Sequence, residues 1–516
     1  MGTQRNRPLV FVGGGDYYIM KKTYKISTLG CKVNQQESEA MAARFEELGF
    51  LPAGRNEEPT VCVINSCTVT SIADSKTRQK IRQARMASPD ALVCVVGCLP
   101  ETAADAVLSM PEVDLIVGSP EKSRTPDLVL EGLKAHRKGD DREVLPRKEE
   151  MPTPGLEGLK NHRKGDNREI LPRKEDMPTS GMEELKAHRK GDNRGILPRK
   201  EEMPPSLDGA RTRAFIKAED GCDRFCAYCI IPYARGAVRS RPKAELLAEA
   251  QYLLKTGYKE LVLTGVNLAL YGSDAGLQRE PGRQNKNGAN LALYGQGDGT
   301  DIFDLVKSMC SLNAASEYRI RLGSLEPTVI NASYAEKIAG IKGVCPHFHL
   351  SLQSGSEKIL KAMGRPYSPG DFEAIVNTLR SIDPLFSITT DIIVGFPGET
   401  DADFDECLEF VKKTGFAGVH VFKYSKRPGT KAADMPGQTP QDTKNARSTI
   451  MLAAAAESKA RFLGQNAGKK RRALILSTDK TGRFVRGLTD NGIDFRLASD
   501  PLLQPNEFAD IIVPPA

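Results

Sequence analysis

With 516 residues the chain is too long for one ordinary domain, and its 40% hydrophobic content supports more than one sizeable core, about three domains in all. No apolar run approaches the ~20 residues of a membrane span, so no membrane partner is expected. The net charge of +7 is compatible with RNA without requiring it, and eleven cysteines in a chain expected to be cytoplasmic argue against a disulfide framework and for metal or redox chemistry.

Residues 1–22 read as an extension. MGTQRNRPLVFVGGGDYY has only a short apolar stretch before its glycines, too short for a secretory h-region. KKTYKISTLGC then opens a strand directly, so Met20 is the expected natural start and the cytoplasm the expected location.

Residues 23–130 alternate strand and helix. KISTLG, TVCVIN, ALVCVVG and VDLIVGS read as strands. QQESEAMAARFEELGF, SIADSKTRQKIRQARMAS and ETAADAVLSM read as the helices between them. This order predicts a parallel sheet covered by helices. Cys31, Cys67 and Cys98 each follow a strand, at the sheet edge where ligands gather in open α/β folds. On pattern alone they are either three converging ligands or three small buried hydrophobes, while Cys62 and Cys94, inside apolar strands, read as buried hydrophobes.

Residues 131–206 carry a tandem repeat that opens EGLKAHRKGDDREVLPRKEEMP, EGLKNHRKGDNREILPRKEDMP and EELKAHRKGDNRGILPRKEEMP. The copies are too polar and charged for a large core, and an expanded linker is the default expectation. One histidine per copy (His136, His162, His188) is poor support for a metal array, and the many acidic residues weaken the reading as a nucleic-acid-gripping arm. A second duplication, NLALYG at 267–272 and 290–295, reads as a surface loop that has grown.

Residues 207–445 alternate again, with strands RAFIKA, ELVLTGV, RIRLGSL, HFHLSLQ, ITTDIIVGF and GVHVFKY. Six βα units predict a partial barrel whose chemistry sits at the C-terminal strand ends. After the first strand comes CDRFCAYC, which sets Cys222, Cys226 and Cys229 in a C-x3-C-x2-C array. Three thiolates so spaced can hold three irons of a [4Fe–4S] cluster and leave the fourth open. A structural zinc site normally needs a fourth ligand, and no further Cys or His lies nearby. The spacing resembles that of radical S-adenosylmethionine enzymes, in which the open iron binds the cofactor.

Other positions are candidates by placement. Ser351 and Gln353 share a face of the HFHLSLQ strand by its period of two and are candidates to line a cofactor pocket, or are polar residues at a strand end. Gly265, Gly395 and Gly398 allow close backbone approach. Tyr228, between two cysteines of the array, is a candidate to stack on the cofactor's adenine. Arg235, Arg239 and Arg241 would meet RNA phosphates or shape the cysteine loop. His347 and His349 read as packed barrel residues, and Cys310, Cys345 and Cys407 as structural.

Residues 446–516 read as an Ala-rich helix followed by short strands in KKRRALILS, GRFVRGLT and EFADIIV, a small all-β barrel of an oligonucleotide-binding kind. Lys469, Lys470, Arg471 and Arg472 form a basic cluster suited to phosphates, or an ordinary solvated charge run.

Several motifs together resemble the methylthiotransferase family. TLGCKVNQQESE, INSCTVT and VVGCLP resemble its amino-terminal domain. CDRFCAYCIIPYARGAVRSRP, LTGVNLALYG, RLGSLEP, HFHLSLQSGSEKILKAMGRPYS, DIIVGFPGET and VFKYSKRPGT resemble its radical domain, and the carboxy-terminal strands more weakly its TRAM-type RNA-binding barrel. The order matches and covers most of the chain outside residues 1–19 and the repeats. TLGCKVN is similar to the MtaB-type branch, which acts on N6-threonylcarbamoyladenosine beside the tRNA anticodon. Leu99 and Pro100 depart from the family's usual sequence after the third cysteine, which predicts an altered helix start there.

The resemblance implies a second [4Fe–4S] cluster on Cys31, Cys67 and Cys98, carrying the added sulfur. It also implies two S-adenosylmethionine molecules, one as methyl donor and one as source of a 5′-deoxyadenosyl radical that activates C2 of the adenine. Expected partners are tRNA, an electron donor of flavodoxin or ferredoxin type, and a sulfur source. The competing readings are a methylthiotransferase for isopentenyladenosine or a ribosomal protein, and a non-catalytic iron–sulfur RNA-binding protein.

Overall fold

The computed structural model describes residues 22–119, 121–137, 212–274 and 301–515. The expected extension, the repeats beyond residue 137 and the second NLALYG copy lie outside the described residues. Two compact units emerge, Met1–Thr68 with Ile72–Pro152, and Val69–Ser71 with Thr153–Ala516.

The first unit is a five-stranded parallel sheet in the order β2-β1-β3-β4-β5, formed by β1 (Thr23–Thr28), β2 (Leu51–Pro52), β3 (Val61–Ser66), β4 (Leu92–Gly97) and β5 (Leu115–Val117). Helices α1 (Lys32–Glu47), α2 (Ser71–Ala87), α3 (Cys98–Leu108) and α4 (Thr125–Arg137) accompany it. Strands β3 and β4 are buried at every residue, and their side chains alternate between two cores. Val61, Val63, Cys94 and Val96 pack with Met41 and Phe45 of α1 and Val129 of α4. Cys62, Ile64, Val93 and Val95 pack with Ile81 of α2 and Leu99 and Val107 of α3. Cys62 and Cys94 are thus buried strand residues, as their apolar setting predicts. Helix α4 runs on past the expected boundary at residue 130, and Leu133, inside the first repeat copy, packs against the unit's core.

The second unit carries all six expected barrel strands: β6 (Arg213–Lys217), β9 (Glu260–Thr264), β10 (Arg319–Leu322) continued as β11 (Ser324–Leu325), β12 (His347–Leu350), β13 (Ser387–Val394) and β14 (Gly418–Lys423). A short antiparallel pair, β7 (Glu219–Asp220) with β8 (Arg239–Ser240), follows β6 and brackets the cysteine loop. β10 pairs with β9 and β11 with β12, so a strand broken at Gly323 joins a three-stranded to a four-stranded parallel sheet. Among the described strands β6 and β14 do not pair, which leaves the barrel open. Its helices are α5 (Ile231–Arg235), α6 (Lys243–Lys255), α7 (Ile302–Cys310), α8 (Ala332–Ala339), α9 (Glu357–Ala362), α10 (Pro369–Ile382) and α11 (Asp401–Thr414). One apolar core of strand and helix residues, including Ile216, Leu263, Phe348, Ile388, Phe372 and Val411, fills the space between sheet and helices.

The chain then forms the long helix α12 (Gln441–Asn466) and an antiparallel sheet in the order β17-β16-β15-β18, made by β15 (Lys470–Thr478), β16 (Phe484–Thr489), β17 (Asp494–Ala498) and β18 (Phe508–Ile512). A buried charge cluster joins this sheet to the barrel. Glu260, fully buried, accepts from Arg213 Nε at 2.7 Å, Arg319 Nε at 2.6 Å and Arg321 Nε at 2.9 Å. The same arginines reach on to backbone carbonyls of the sheet: Arg319 Nη2 to Leu488 at 2.9 Å and Arg321 Nη2 to Thr489 at 3.1 Å. Burial alone would raise the Glu260 carboxyl, but Arg321 and Arg319 outweigh it and hold the group well below the usual carboxylate range. No helix among the described residues is long and apolar enough to cross a membrane.

Candidate functional site

Cys31, Cys67 and Cys98 stand just beyond the C-terminal ends of β1, β3 and β4, three adjacent strands. Thr28 pairs with Asn65 and Ser66 with Gly97, so the chain leaves the sheet at one corner at all three points. Gly30 and Gly97, each immediately before a cysteine, have φ of +101° and +106°. A Cβ on Gly30 would sit 2.6 Å from Cys67 Cβ and 2.8 Å from its Sγ, and one on Gly97 would sit 2.9 Å from the Ser66 carbonyl. Only glycine fits both positions, for conformation and for space. Cys31 caps α1 and Cys98 opens α3, so two helix N-termini, which favour negative charge, begin at this corner. Pro100 falls in the first turn of α3, where its missing N–H breaks no helical bond, and the helix is kinked further on at Ala103.

A polar floor holds the corner. Asn34 Nδ2 donates to the carbonyls of Leu29 at 2.7 Å and Ser66 at 2.9 Å, and Asn65 Nδ2 to the Asn34 carbonyl at 2.8 Å. Buried Lys122 reaches Asn34 Oδ1 at 3.4 Å and pairs with Glu37 at 2.5 Å. Cys67 and Cys98 are buried and Cys31 is exposed. The three strand ends share this corner, but the sulfurs of Cys31, Cys67 and Cys98 do not all lie within 4.8 Å of one another.

In the second unit the cysteine loop leaves β7 through Gly221, whose φ is +86° and where a Cβ would lie 2.0 Å from the Ala237 carbonyl. Cys222 N donates to the Gly236 carbonyl at 3.0 Å and Cys229 N to the Cys226 carbonyl at 2.9 Å, which ties down the two ends of the loop. Burial pushes the Cys222 and Cys229 thiols up to about 12, with the neighbouring Cys226 adding to the rise. Arg235 and Arg239 tie the loop to Asp220, at 2.9 and 3.6 Å, and Arg241 binds the Lys217 carbonyl at 2.9 Å, so all three shape the hairpin.

The residues that surround this loop were mostly not legible one by one in the sequence. Arg365 donates to Cys226 Sγ at 3.4 Å and to the Ser351 carbonyl at 2.9 Å, and lies 3.4 Å from Glu326. Glu326, also buried, accepts from Arg224 at 2.7 Å, Asn267 at 3.1 Å and Thr328 at 2.8 Å. Three buried polar atoms in this network have no protein partner: Arg224 Nη2, Asn267 Oδ1 and Glu219 Oε1. Unsatisfied donors and acceptors of both signs beside three cysteines fit a zwitterionic ligand such as the methionyl end of S-adenosylmethionine.

The other expected positions divide. Gly265 packs against Glu219, 2.6 Å from a hypothetical Cβ to Oε2, so it shapes this same network. Ser351 presents its carbonyl to Arg365 and Tyr367. Strand β12 ends at Leu350, and Gln353 adopts φ of +72° while bridging to Asp391 and Ile393, so the alternation expected to align it with Ser351 does not extend that far. Tyr228 packs in an apolar cluster with Met363, Phe396 and Tyr424. Gly395 makes room for Lys444 of α12, which a Cβ would approach to 2.2 Å. Cys345 and Cys407 are buried and Cys310 half-buried. Of the basic cluster, Lys469 is exposed. Lys470 pairs with Asp510 at 2.9 Å, Arg471 is turned inward onto Asp383 at 2.8 Å, and Arg472 pairs with Glu317.

An α/β unit with a three-cysteine corner, followed by an open parallel barrel with a C-x3-C-x2-C loop, defines a radical S-adenosylmethionine protein with an added amino-terminal domain. Residues 218–411 match the radical SAM superfamily, and residues 23–118 match the family described as uncharacterized protein family UPF0004. The chain is 34% identical over 456 residues to the threonylcarbamoyladenosine tRNA methylthiotransferase MtaB of Thermotoga maritima, covering 88% of this chain and 86% of that protein. It is 32% identical to the MtaB of Bacillus subtilis, covering 91% and 89%. It is 30% identical to a tRNA-2-methylthio-N(6)-dimethylallyladenosine synthase of Pelotomaculum thermopropionicum, covering 84% and 81%. Among solved structures, the radical S-adenosylmethionine methyltransferase TsrM of Kitasatospora setae aligns over 80% of this chain and 77% of its own, with 15% identity and a TM-score of 0.49. The chain belongs to the radical S-adenosylmethionine methylthiotransferase family, whose cofactors are S-adenosylmethionine and [4Fe–4S] iron–sulfur clusters.

Proposed function

We propose that this protein installs a methylthio group at C2 of N6-threonylcarbamoyladenosine beside the tRNA anticodon. In this reading Cys222, Cys226 and Cys229 hold one [4Fe–4S] cluster, Cys31, Cys67 and Cys98 hold a second, and two S-adenosylmethionine molecules are consumed. The reading is supported by the placement of Cys31, Cys67 and Cys98 just beyond the ends of three adjacent parallel strands, because a second cysteine site is what methylthio transfer needs beyond radical generation. The threonylcarbamoyl substrate is supported by TLGCKVN and by the names of the Thermotoga and Bacillus relatives.

When bound, the clusters and S-adenosylmethionine supply the radical and the transferable sulfur for a C–H bond that offers no acid or base a handle. The chain supplies position and charge. Arg365 would neutralise the cofactor carboxylate while donating to Cys226 Sγ. Glu326, with Asn267 and Glu219, would receive its amino group. Lys469 is the residue of the basic cluster best placed, by its exposure, to meet tRNA phosphate, with an electron donor and a sulfur source as further partners.

The test is product analysis with the anaerobically reconstituted protein, strong reductant and threonylcarbamoylated tRNA. Both 5′-deoxyadenosine and S-adenosylhomocysteine should form. Cys222→Ala should abolish the first and keep the second, and Cys67→Ala should do the reverse. Formation of 5′-deoxyadenosine alone, unaffected by Cys67→Ala, would exclude the second site from the reaction.

A further inference from the structure

Three side chains outside both cysteine sites meet on the helix-free face of the barrel sheet. His349 is on β12, Asp391 on β13 and His420 on β14, three adjacent parallel strands. Asp391 lies opposite His420 in the register, and His349 lies opposite Thr389, two residues before Asp391. One ligand atom from each falls within 4.8 Å of the other two. Their strand neighbours Phe348, Leu350, Ile388 and Ile392 are buried in the core with the helices, so the period of two turns the three donors to the opposite face. His349 and Asp391 are half-buried and His420 is exposed, so the site opens to solvent.

Two imidazoles and one carboxylate on one face are a donor set for borderline divalent transition ions. In a closed site such donors lie about 3–3.5 Å apart, so closure here needs movements of ~1–2 Å, which the exposed His420 side chain can make by rotation. The hydrogen bonds of His349 permit the change. Its Nδ1 is 3.0 Å from Thr389 Oγ1 and its Nε2 is 3.2 Å from Asp391 Oδ2. With no cation, Thr389 donates to Nδ1 and Nε2–H donates to Asp391. With a cation, Nδ1–H donates to the same hydroxyl, and Nε2 and Asp391 both turn lone pairs to the metal. A hydroxyl serves either tautomer at no loss of hydrogen bonding, and such an outer partner commonly fixes a metal-ligating histidine.

We propose that His349, Asp391 and His420 form a site for one divalent transition-metal cation of the zinc or iron(II) class. The protein supplies three ligands, and the remaining positions face the open side of the barrel sheet. The site uses none of the six cysteines and does not depend on the substrate proposed above.

The test is anaerobic titration of the cluster-loaded protein with Co2+, followed by cobalt absorption-edge spectroscopy of the loaded sample. The wild type should take up one cation per chain with nitrogen and oxygen ligands and no sulfur. His420→Ala, at an exposed position, and Asp391→Asn should each lose that equivalent while keeping the wild-type melting temperature and the cluster absorption. Thr389→Val should weaken binding by about 10–100-fold with all three ligands retained. Equal uptake by wild type and His420→Ala, sulfur in the metal shell, or no uptake by the wild type would overturn the site.

Discussion

Gly30 lies against Cys67 so closely that a Cβ on the glycine would stand 2.6 Å from the cysteine Cβ and 2.8 Å from its sulfur. The contact joins the turn after β1 to the end of β3 and sets where two of the three amino-terminal cysteines lie. Gly30→Ala combines this clash with a φ of +101°. The variant should lose about half of the bound iron, that of the amino-terminal site, and keep reductive cleavage of S-adenosylmethionine. Iron and sulfide analysis beside a 5′-deoxyadenosine assay checks this; full iron content would show that the corner tolerates a side chain.

Arg365→Lys keeps a positive charge but loses the fork that serves Cys226, Ser351 and Tyr367 together. Cofactor affinity should fall at least about tenfold, and the cluster's reduction potential should drop because an N–H···S hydrogen bond is lost. Equilibrium binding and a potentiometric titration separate the two effects.

The cluster of Glu260 with Arg213, Arg319 and Arg321 binds the carboxy-terminal sheet to the barrel. Glu260→Ala leaves three arginines sharing no buried counter-charge, at a cost of about 3–5 kcal/mol. Thermal unfolding should begin earlier, and limited proteolysis should release the carboxy-terminal strands.

Much of this architecture was legible because burial and period agree. The barrel strands and the four main amino-terminal strands are short apolar or alternating runs bounded by turns, and Cys31, Cys67 and Cys98 follow the C-terminal ends of β1, β3 and β4. The charged interior was not legible. Nothing near Glu260, Arg319, Arg321, Glu326 and Arg365 in the sequence marks them as buried, because their partners arrive from far along the chain, as Arg224 does for Glu326. His349, Asp391 and His420 likewise come together through strand register and not through spacing along the chain. Strand β17 was missed because DFRLA is short and half charged, and Arg471 read as part of a basic cluster for phosphates because its partner Asp383 lies in the barrel half of the unit.

Thiol reactivity should report the two sites separately in cluster-free protein. Cys31 is exposed and should be labelled first by a maleimide. Cys222 and Cys229, pushed by burial up to about 12, hold only ~0.01% thiolate at pH 8, so their labelling should be slow and should rise about tenfold per pH unit up to that value. Labelling followed by peptide mass spectrometry at two pH values checks the order. Fast reaction of Cys222 at pH 8 would mean that its loop is open to solvent.

The most direct measurement is mass spectrometry of tRNA nucleosides from a bacterial host lacking its own enzyme, with and without this gene. The proposed function requires 2-methylthio-N6-threonylcarbamoyladenosine to appear with the gene and to vanish again in the Cys67→Ala and Cys222→Ala variants. Persistence of unmodified N6-threonylcarbamoyladenosine, with methylthiolation of dimethylallyladenosine in its place, would contradict the substrate assignment. No methylthio nucleoside of either kind from a cluster-loaded protein would contradict the proposed function itself.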